Sequence, residues 1–551
     1  MTLEITAGLS AGNLPENFVP VALPYLQRAT AQNRMLITEK NGEITATIIE
    51  GNSISEPGLK VFADDGGIAY FGPPTGNGDV SLPEGGAARL TTPDPYRPTI
   101  AVIDTGLAFW NPEFGEQVKQ ITFLGEKNDV LGVLDKDDLE RRIKLIKNPS
   151  DVSDLFRTLA HAYPASIYAH GLHPDSFSHG TAMANLASRT NLNPIFGVEL
   201  PATALFDRTG ETLTGVLLAA VQVAIRGFLA WIGPNDLSLY PLRIVLSYGF
   251  TGGPHDGEHA AAQALKRVLD KVRKDNPKLD VTLFLPVGNA LQDKIYAELG
   301  NVMQGEKKGM AWFIPPDDFS QNTIELLCKG EGLPELLVTS PSGEKAKTSD
   351  QNNIGNLVLD DNLIGNVELK RNAGGWWRFR LTLAPTALGT GYLNAAPYGQ
   401  WQVEVVGKNG PVTDIHAWIL RDDHPDLKDP AGPQRQSWFF DPAYKEKGLD
   451  GAWILDDMNS TSRIKRAGTA SVLSTAPASG IHVVQALHST GQGFIRSWYS
   501  ALPMPGNMVT DQEVVDRGWP ANGTSVLGNG TARQFQVSGT SVAAALRAGR
   551  R

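Results

Sequence analysis

The chain is short of three things that often settle a first classification. It has one cysteine, Cys328, in 551 residues, so it closes no disulfide within itself and builds no zinc site on thiolates. It has no excess of basic charge. Lys and Arg number 49 against 59 Asp and Glu, a formal charge of −10, and with no basic run to offset this, no nucleic-acid partner is expected. It also lacks a clean hydrophobic run of bilayer length. The most apolar stretch, Val216–Ile232, contains Gln222 and Arg226 and reads as a buried core helix, not a membrane span. Met1-Thr-Leu-Glu-Ile-Thr-Ala-Gly has neither a basic n-region nor an apolar h-region. No signal peptide is expected there, so the default location is the cytoplasm, with secretion by another route left open.

What is present is length for more than one domain and abundant Gly (57) and Pro (36), hence many loops. Residues 1–95 are mixed and form an N-terminal extension or a pro-segment. Ile44-Thr-Ala-Thr-Ile-Ile alternates weakly, Asp64-Asp-Gly-Gly reads as a tight turn, and Pro73-Pro74 and Pro93 to Pro98 read as loop and linker. The pattern sharpens at Thr99-Ile-Ala-Val-Ile-Asp104-Thr105-Gly106. A continuous apolar run marks a buried parallel strand. It ends in a carboxylate, where sites form in open α/β sheets; taken alone, such an Asp equally well caps the next element.

Helical stretches are expected at Asp135 to Lys147 and Ser153 to Ala162. Ser178-His179-Gly180-Thr181-Ala182 then puts a His at the mouth of a small-residue helix. Strand and helix alternate from there: Pro194 to Leu200, Thr212 to Ile232, Arg243 to Gly249, Glu258 to Lys274, and Val281 to Asn289. Two of these strands end in Ser247-Tyr248-Gly249 and in Gly288-Asn289. Repeated β–α–β with apolar strands predicts a parallel sheet covered on both faces.

From about Trp312 to Leu420 the helical period disappears. Short alternating runs separated by turn signals predict an inserted β-sandwich or jelly roll over 311–425. Trp376, Trp377, Phe379, Trp401 and Trp418 are read as its core, with a carbohydrate- or peptide-binding face as the alternative. After Pro425 the first style returns, and a Gly-rich loop at Pro520–Gly530 leads to Val537-Ser538-Gly539-Thr540-Ser541-Val542-Ala543. A Gly-rich turn running into Ala-rich sequence presents Ser541 at the start of a helix, where backbone N–H groups are free and the dipole is positive. Gly523-Thr524-Ser525 is a competing triplet, read as loop.

The order Asp104, His179, Ser541 is one of the known ways to build an acyl-transfer triad. With Gly288-Asn289 and Ser247-Tyr248-Gly249 at strand ends between them, the sequence resembles the subtilisin-like serine peptidases. The resemblance covers 96–310 and 430–551, which sets the two parts of the peptidase-like domain at 96–310 and 426–551. A jelly roll inserted ahead of the Ser motif is similar to the bacterial Csp-type germination proteases, and Gly253-Pro254-His255-Asp256-Gly257 fits a bacterial subgroup. His255 and Asp256 are read as a structural turn, a substrate-pocket role being the alternative.

The resemblance implies an α/β, three-layer, subtilisin-like fold around a mostly parallel sheet, interrupted by an all-β domain. It implies a serine endopeptidase acting on protein or peptide substrates through an acyl-enzyme. Ser541 would be the nucleophile, His179 the general base and Asp104 its orienting acid; Asn289 and the Ser541 N–H would form the oxyanion hole. Ser247, Tyr248 and Gly249 would offer the substrate an edge strand. No cofactor or oligomeric state is implied; calcium is left open but is not readable from the sequence, since acidic pairs such as Asp64-Asp65 and Asp360-Asp361 read more readily as solvated turns. The alternatives are a pseudoprotease or regulatory protein binding through the sandwich, and another serine hydrolase such as an esterase. Two departures stand out. Val542 and Ala545 replace the usual Met and Pro of the Ser helix, and the sequence ends less than about three helical turns beyond Ser541, with Leu546-Arg-Ala-Gly-Arg-Arg too polar for a core.

Overall fold

In the computed structural model the described residues run from 95 to 550, apart from 126–129, 147–150, 152–177, 202–212, 348–353, 372–374, 389–393, 422–434, 476–479, 505–517, 530–533 and some shorter stretches. Ahead of residue 95, six strands are described: β1 (Thr2–Thr6), β2 (Asn33–Lys40), β3 (Glu43–Glu50), β4 (Ser53–Ile54), β5 (Leu59–Phe62) and β6 (Tyr70–Phe71). They pair into one antiparallel sheet. The strand expected at Ile44 is β3; the turn at Asp64 and the helix at Ser153 to Ala162 lie outside the described residues.

The site is positioned by a second sheet. Its strands are β7 (Thr99–Asp104), β8 (Val118–Leu124), β9 (Val130–Leu134), β10 (Ile195–Glu199), β11 (Leu242–Leu246) and β12 (Val281–Pro286), followed after a long interval by β24 (Ile481–Thr490), β25 (Gly493–Arg496) and β26 (Gly518–Pro520). The order is β25-β24-β12-β11-β7-β10-β8-β9, with β26 also beside β24. All pairs are parallel except β8 with β9 and β24 with β25. The continuous apolar run of β7 has a simple cause. Ile100 and Val102 enter the core on one face, Ala101 and Ile103 the core on the other, so every position is buried.

Helices cover both faces. On one lie α2 (His179–Ser188) and α5 (Thr540–Ala548); on the other lie α3 (Leu213–Ile232) and α4 (Ala260–Asp275). A fifth, α1 (Lys136–Ile143), packs beside β8 and starts at Asp135, whose carboxylate accepts from the Asp138 N–H at 2.9 Å. Among the described residues, Thr214–Ile232 of α3 is long and apolar enough to cross a bilayer, but 83% of it is buried inside the protein. Phe228, Val221 and Ala220 are fully buried there, as expected of a core helix hydrophobic all round.

The terminal helix is held more firmly than its polar sequence suggests. Ala543, Ala544, Ala545 and Ala548 are fully buried. Arg243 from β11 donates to the carbonyls of Ala548, at 3.2 Å, and of Arg550, satisfying C-terminal acceptors. Asn193 reaches the Gly549 carbonyl at 3.2 Å. The arginines do not fill the core: the Arg550 guanidinium lies 4.2 Å from the Trp519 ring centroid, with Arg547 at 5.9 Å. Small residues face inward and the long cations lie over an aromatic at the side.

Between β12 and β24 the chain builds two antiparallel sheets. The strands are β13 (Tyr296–Val302), β14 (Lys307–Ile314), β15 (Asn322–Lys329), β16 (Glu335–Thr339), β17 (Lys345–Lys347), β18 (Ile354–Leu359), β19 (Asn362–Arg371), β20 (Trp377–Leu383), β21 (Gly399–Val406), β22 (Val412–Ile419) and β23 (Trp438–Phe440). One sheet is β13-β22-β15-β20-β19-β18, the other β17-β16-β21-β14-β23. The strands begin earlier and end later than the expected 311–425. β13 escapes a pattern reading because bulges around Gly300 break its alternation, and β23 is only three residues long.

The aromatic assignments also divide. Trp401 and Phe379 lie in the sandwich core with Trp312. Trp418 points out of that core, among Tyr296 and Leu327, and its indole donates to the Gly468 carbonyl at 2.9 Å. Trp377, half-buried beneath Arg371, packs against the sandwich core, whereas Trp376, half-buried beneath Lys329, lies with the Trp418 group. The region read as a loop at Pro520–Gly530 contains β27 (Thr524–Leu527), paired with β28 (Gln534–Val537). Gly523-Thr524-Ser525 therefore runs into a hairpin strand of four residues, too short to show a period.

The sandwich is seated on the three-layer body by buried polar contacts. Glu325 on β15 is fully buried. It accepts from the Gly253 N–H at 2.7 Å and from Arg380 at 2.7 and 3.0 Å, with Arg378 at 3.6 Å. Two residues on, His255 stacks flat on Trp418, centroids 4.4 Å apart and planes within 3°, and its Nε2 meets the Thr251 carbonyl at 2.9 Å. Burial pushes the His255 pKa down to about 4, so the stacked ring is neutral. The Gly253–Gly257 turn is thus structural, as first read.

Burial works to raise the Glu325 pKa, but the charges of Arg380 and Arg378 outweigh it and hold the group at about 2, against an ordinary 4.5. Its contribution to stability is therefore present above about pH 4.5 and is lost as pH falls toward about 2. Glu325→Ala, which removes the buried carboxylate that Arg380 and the Gly253 N–H bond, should cost about 3–5 kcal/mol in a urea titration at neutral pH, and the gap between variant and parent should narrow below pH 4.

Candidate active site

The Asp and His motifs interlock through backbone. Gly180, the first residue after His179, donates its N–H to the Thr105 carbonyl at 3.0 Å. A Cβ at that position would lie 2.7 Å from the same oxygen, so only glycine lets α2 approach the end of β7 this closely. Thr181 Oγ1 donates to the Gly106 carbonyl at 2.9 Å and accepts from the Ala108 N–H at 2.8 Å. Gly106 itself takes φ +77°, a conformation that suits glycine. Asp-Thr-Gly and His-Gly-Thr are, physically, two halves of one joint.

The joint brings the side chains together. His179 Nδ1 lies 2.7 and 2.9 Å from the two carboxylate oxygens of Asp104. Asp104 is 8% exposed and the His179 side chain 42%. The carboxylate is therefore sealed behind the ring, and Nε2, on the ring's far side, is left to the cleft. Burial of the ring works to lower its pKa; the charge of Asp104 and its hydrogen bond outweigh that and hold His179 above the ordinary 6.5.

The Ser motif interlocks with the strand end at Asn289 in the same manner. Asn289 Oδ1 accepts from both the Thr540 N–H and the Thr540 hydroxyl, each at 2.9 Å. The Gly288 N–H meets Thr540 Oγ1 at 3.2 Å. With its oxygen committed to two donors, the amide of Asn289 has its NH₂ as the group left to present elsewhere. Thr540 is fully buried, and Ser541 follows it in the first turn of α5.

A cleft of about 900 Å³ runs over these strand ends. It is lined by Asp104, His179, Asn289 and Ser541 together with Ser247, Tyr248 and Gly249. All seven residues picked out in the sequence thus share one cavity, at the place where strand order reverses about β7 and β11. Among the described residues no group of three or more His, Cys, Asp or Glu could hold a metal ion.

Three residues escaped the sequence reading. Glu199, 3% exposed at the end of β10, accepts from the N–H groups of Gly106 and Leu107 at 2.8 and 2.5 Å, holding the turn that follows Asp104. Its signal, a carboxylate closing an apolar strand, is the one that marked Asp104. Asn529, fully buried, bonds Ser178 and Thr181 at 2.5 and 3.0 Å. Ser471 packs so closely against Gly249 that a Cβ there would lie 2.5 Å from its hydroxyl. Neither of these two carries a local signal.

No protein-family model matches the chain, and no curated protein does. Among solved structures it is similar to the CspB protease of Clostridium perfringens, at 12% identity and a TM-score of 0.52, over 82% of this chain and 80% of that one. The chain thus has a subtilisin-like α/β fold carrying an inserted β domain. The lipase BlEst2 of Bacillus licheniformis, in propeptide form, is matched over 61% of this chain and 77% of that one at 11% identity; its TM-score of 0.19 is too low to support an argument.

The pKa balance at His179 is open to direct test. In an NMR titration of the folded protein its ring should titrate above 6.5, and in Asp104→Ala, where only burial remains, below it. The pairing contributes stability fully present below pH 6.5 and lost as pH rises through the raised value.

Proposed function

We propose that the protein is a serine endopeptidase. The observation that carries this reading is the doubly bonded His179–Asp104 pair opening onto the cleft that also holds Ser541 and Asn289. A serine hydroxyl is inert at its free pKa and needs a base. His179, with Nδ1 engaged by Asp104, presents Nε2 as that base, and Asp104 stabilises the imidazolium that forms when it takes the Ser541 proton. The hydroxyl oxygen attacks the scissile carbonyl. The resulting oxyanion is met by the Asn289 NH₂ and the Ser541 N–H, donors set in place before the reaction begins. His179 then passes its proton to the leaving amine, and water repeats the sequence to release the acyl group. The Ser247–Gly249 edge would pair with an extended substrate backbone. Similarity to a protease of known structure agrees with this reading at the level of fold.

A fluorophosphonate probe should label the parent and not Ser541→Ala; a folded parent that is not labelled at Ser541 would overturn the proposal. Asn289→Ala removes the proposed oxyanion donor and also the oxygen that holds Thr540, so kcat should fall by at least about 10²–10³, the range measured for such a donor alone in subtilisin itself, and a urea titration should show a loss of stability from the Thr540 groups left unpaired. Because the base must be neutral, kcat/KM should rise with pH through a value above 6.5.

A further inference from the structure

The cleft has a second wall that does not belong to the three-layer body. Ile419 at the end of β22, Arg421 just beyond it, and Gln436 and Trp438 at β23 all line the same cavity as His179 and Ser541. They are carried there by the segment that leaves Asn289. Its Lys294 carbonyl accepts from the Phe439 N–H at 2.9 Å and its Ile295 carbonyl from the Ile419 N–H at 2.8 Å, so the chain downstream of the oxyanion donor is stitched into both sheets of the sandwich. From the opposite side Thr251, two residues past Gly249, donates to the Ile419 carbonyl at 3.4 Å.

The wall combines an apolar part with a polar one. Trp438 faces Phe313 in the β14–β23 register, and the two rings stack with centroids 4.6 Å apart. One face of the indole is thereby held from behind, and the residue still borders the cleft. Tyr248, Phe250 and Ile295 extend the apolar lining, while Arg421 and Gln436, with Gln292, Asp293 and Lys294 of the segment after Asn289, supply the polar part. At about 900 Å³ the space exceeds what one small side chain fills and lies in the range that takes a drug-sized ligand.

We propose that the inserted domain determines specificity: Trp438, backed by Phe313, forms with Ile419 the wall that selects extended peptides bearing a large apolar side chain. The inference rests on the endopeptidase reading. A preformed aromatic surface gains from every apolar group it removes from water and loses little conformational entropy in doing so. The same seat that fixes the sandwich, Glu325 on the Gly253 N–H and His255 on Trp418, keeps this wall at a set distance from the Ser247–Gly249 edge.

The test uses the full chain and a peptide set varied at one side chain from Ala to Trp. It reads kcat/KM in the Ser541-intact protein and equilibrium binding in Ser541→Ala. Trp438→Ala should cut the preference for large over small apolar side chains about ten- to a hundredfold in both, and Trp438→Phe should restore most of it. Gln436→Trp leaves the Trp438–Phe313 stack in place and should narrow the cleft, shifting preference to smaller side chains. Preferences unchanged by both Trp438→Ala and Gln436→Trp, with hydrolysis intact, would overturn the inference and leave the proposed function standing. Trp438-dependent binding without any hydrolysis would do the reverse. A folded protein that neither binds nor cleaves any of the peptides would sink both.

Discussion

The arrangement depends on two hydrogen bonds at one amide oxygen. Asn289 Oδ1 accepts from the N–H and the hydroxyl of Thr540, residues 251 positions apart in the chain. This contact ties the last helix to the central sheet across the whole inserted domain. It places Ser541 and orients the Asn289 amide in one act, because the atom that anchors the helix is the atom that leaves the NH₂ group as donor. A contact of such sequence separation is costly to close, and it forms against a helix whose alanines are already fully buried on the sheet. The packing of small side chains and the polar joint therefore support one another.

The Asp–His side follows the same logic with different chemistry. There the joint is backbone to backbone, Gly180 against Thr105, and the buried Glu199 holds the next two N–H groups of the turn. Asp104 needs that frame. A carboxylate sealed behind an imidazole raises the ring's pKa only if neither group can turn away, and here the fixed turn on one side and the α2 start on the other prevent it. Charges that would be expensive in isolation are each met by directed partners: Glu199 by amide groups, Glu325 by arginines and an amide, Asp104 by His179.

The insertion is more than a domain looped out between two strands. Its first residues leave directly from the Asn289 strand end, and its far edge returns beside the same cleft. Glu325 and the neutral His255–Trp418 stack fasten it at the turn that follows Ser247–Gly249. The sandwich therefore continues from the strand end that carries the proposed oxyanion donor and is fastened to the turn just beyond the edge that would receive substrate. That is why its position bears on the chemistry while its core, around Trp312, Trp401 and Phe379, serves only its own stability.

The sequence alone was enough for the parallel sheet and for the seven residues that share the cleft, because each sits in an element with a strong local pattern. Apolar runs end in Asp104, in Ser247 and at Gly288-Asn289, a small-residue helix opens at His179, and a Gly-containing turn leads into the helix at Ser541. Local pattern fails wherever the decisive partner is remote. Asn529 looks like an ordinary polar residue until folding sets it against Ser178 and Thr181, and Glu199, though it closes an apolar strand as Asp104 does, acquires its role only when folding sets it under the Gly106 turn. β13 is masked by its bulges, and β23 and β27 by their brevity. Arg547 and Arg550 read as unfit for a core, and they are not in it, since Trp519 receives them at the side. Only tertiary structure could assign Trp418 to the junction, not the sandwich interior, and bring Trp438 to the cleft. Strand alternation tells which residues share a face, but what that face meets is set by packing between elements more than a hundred residues apart.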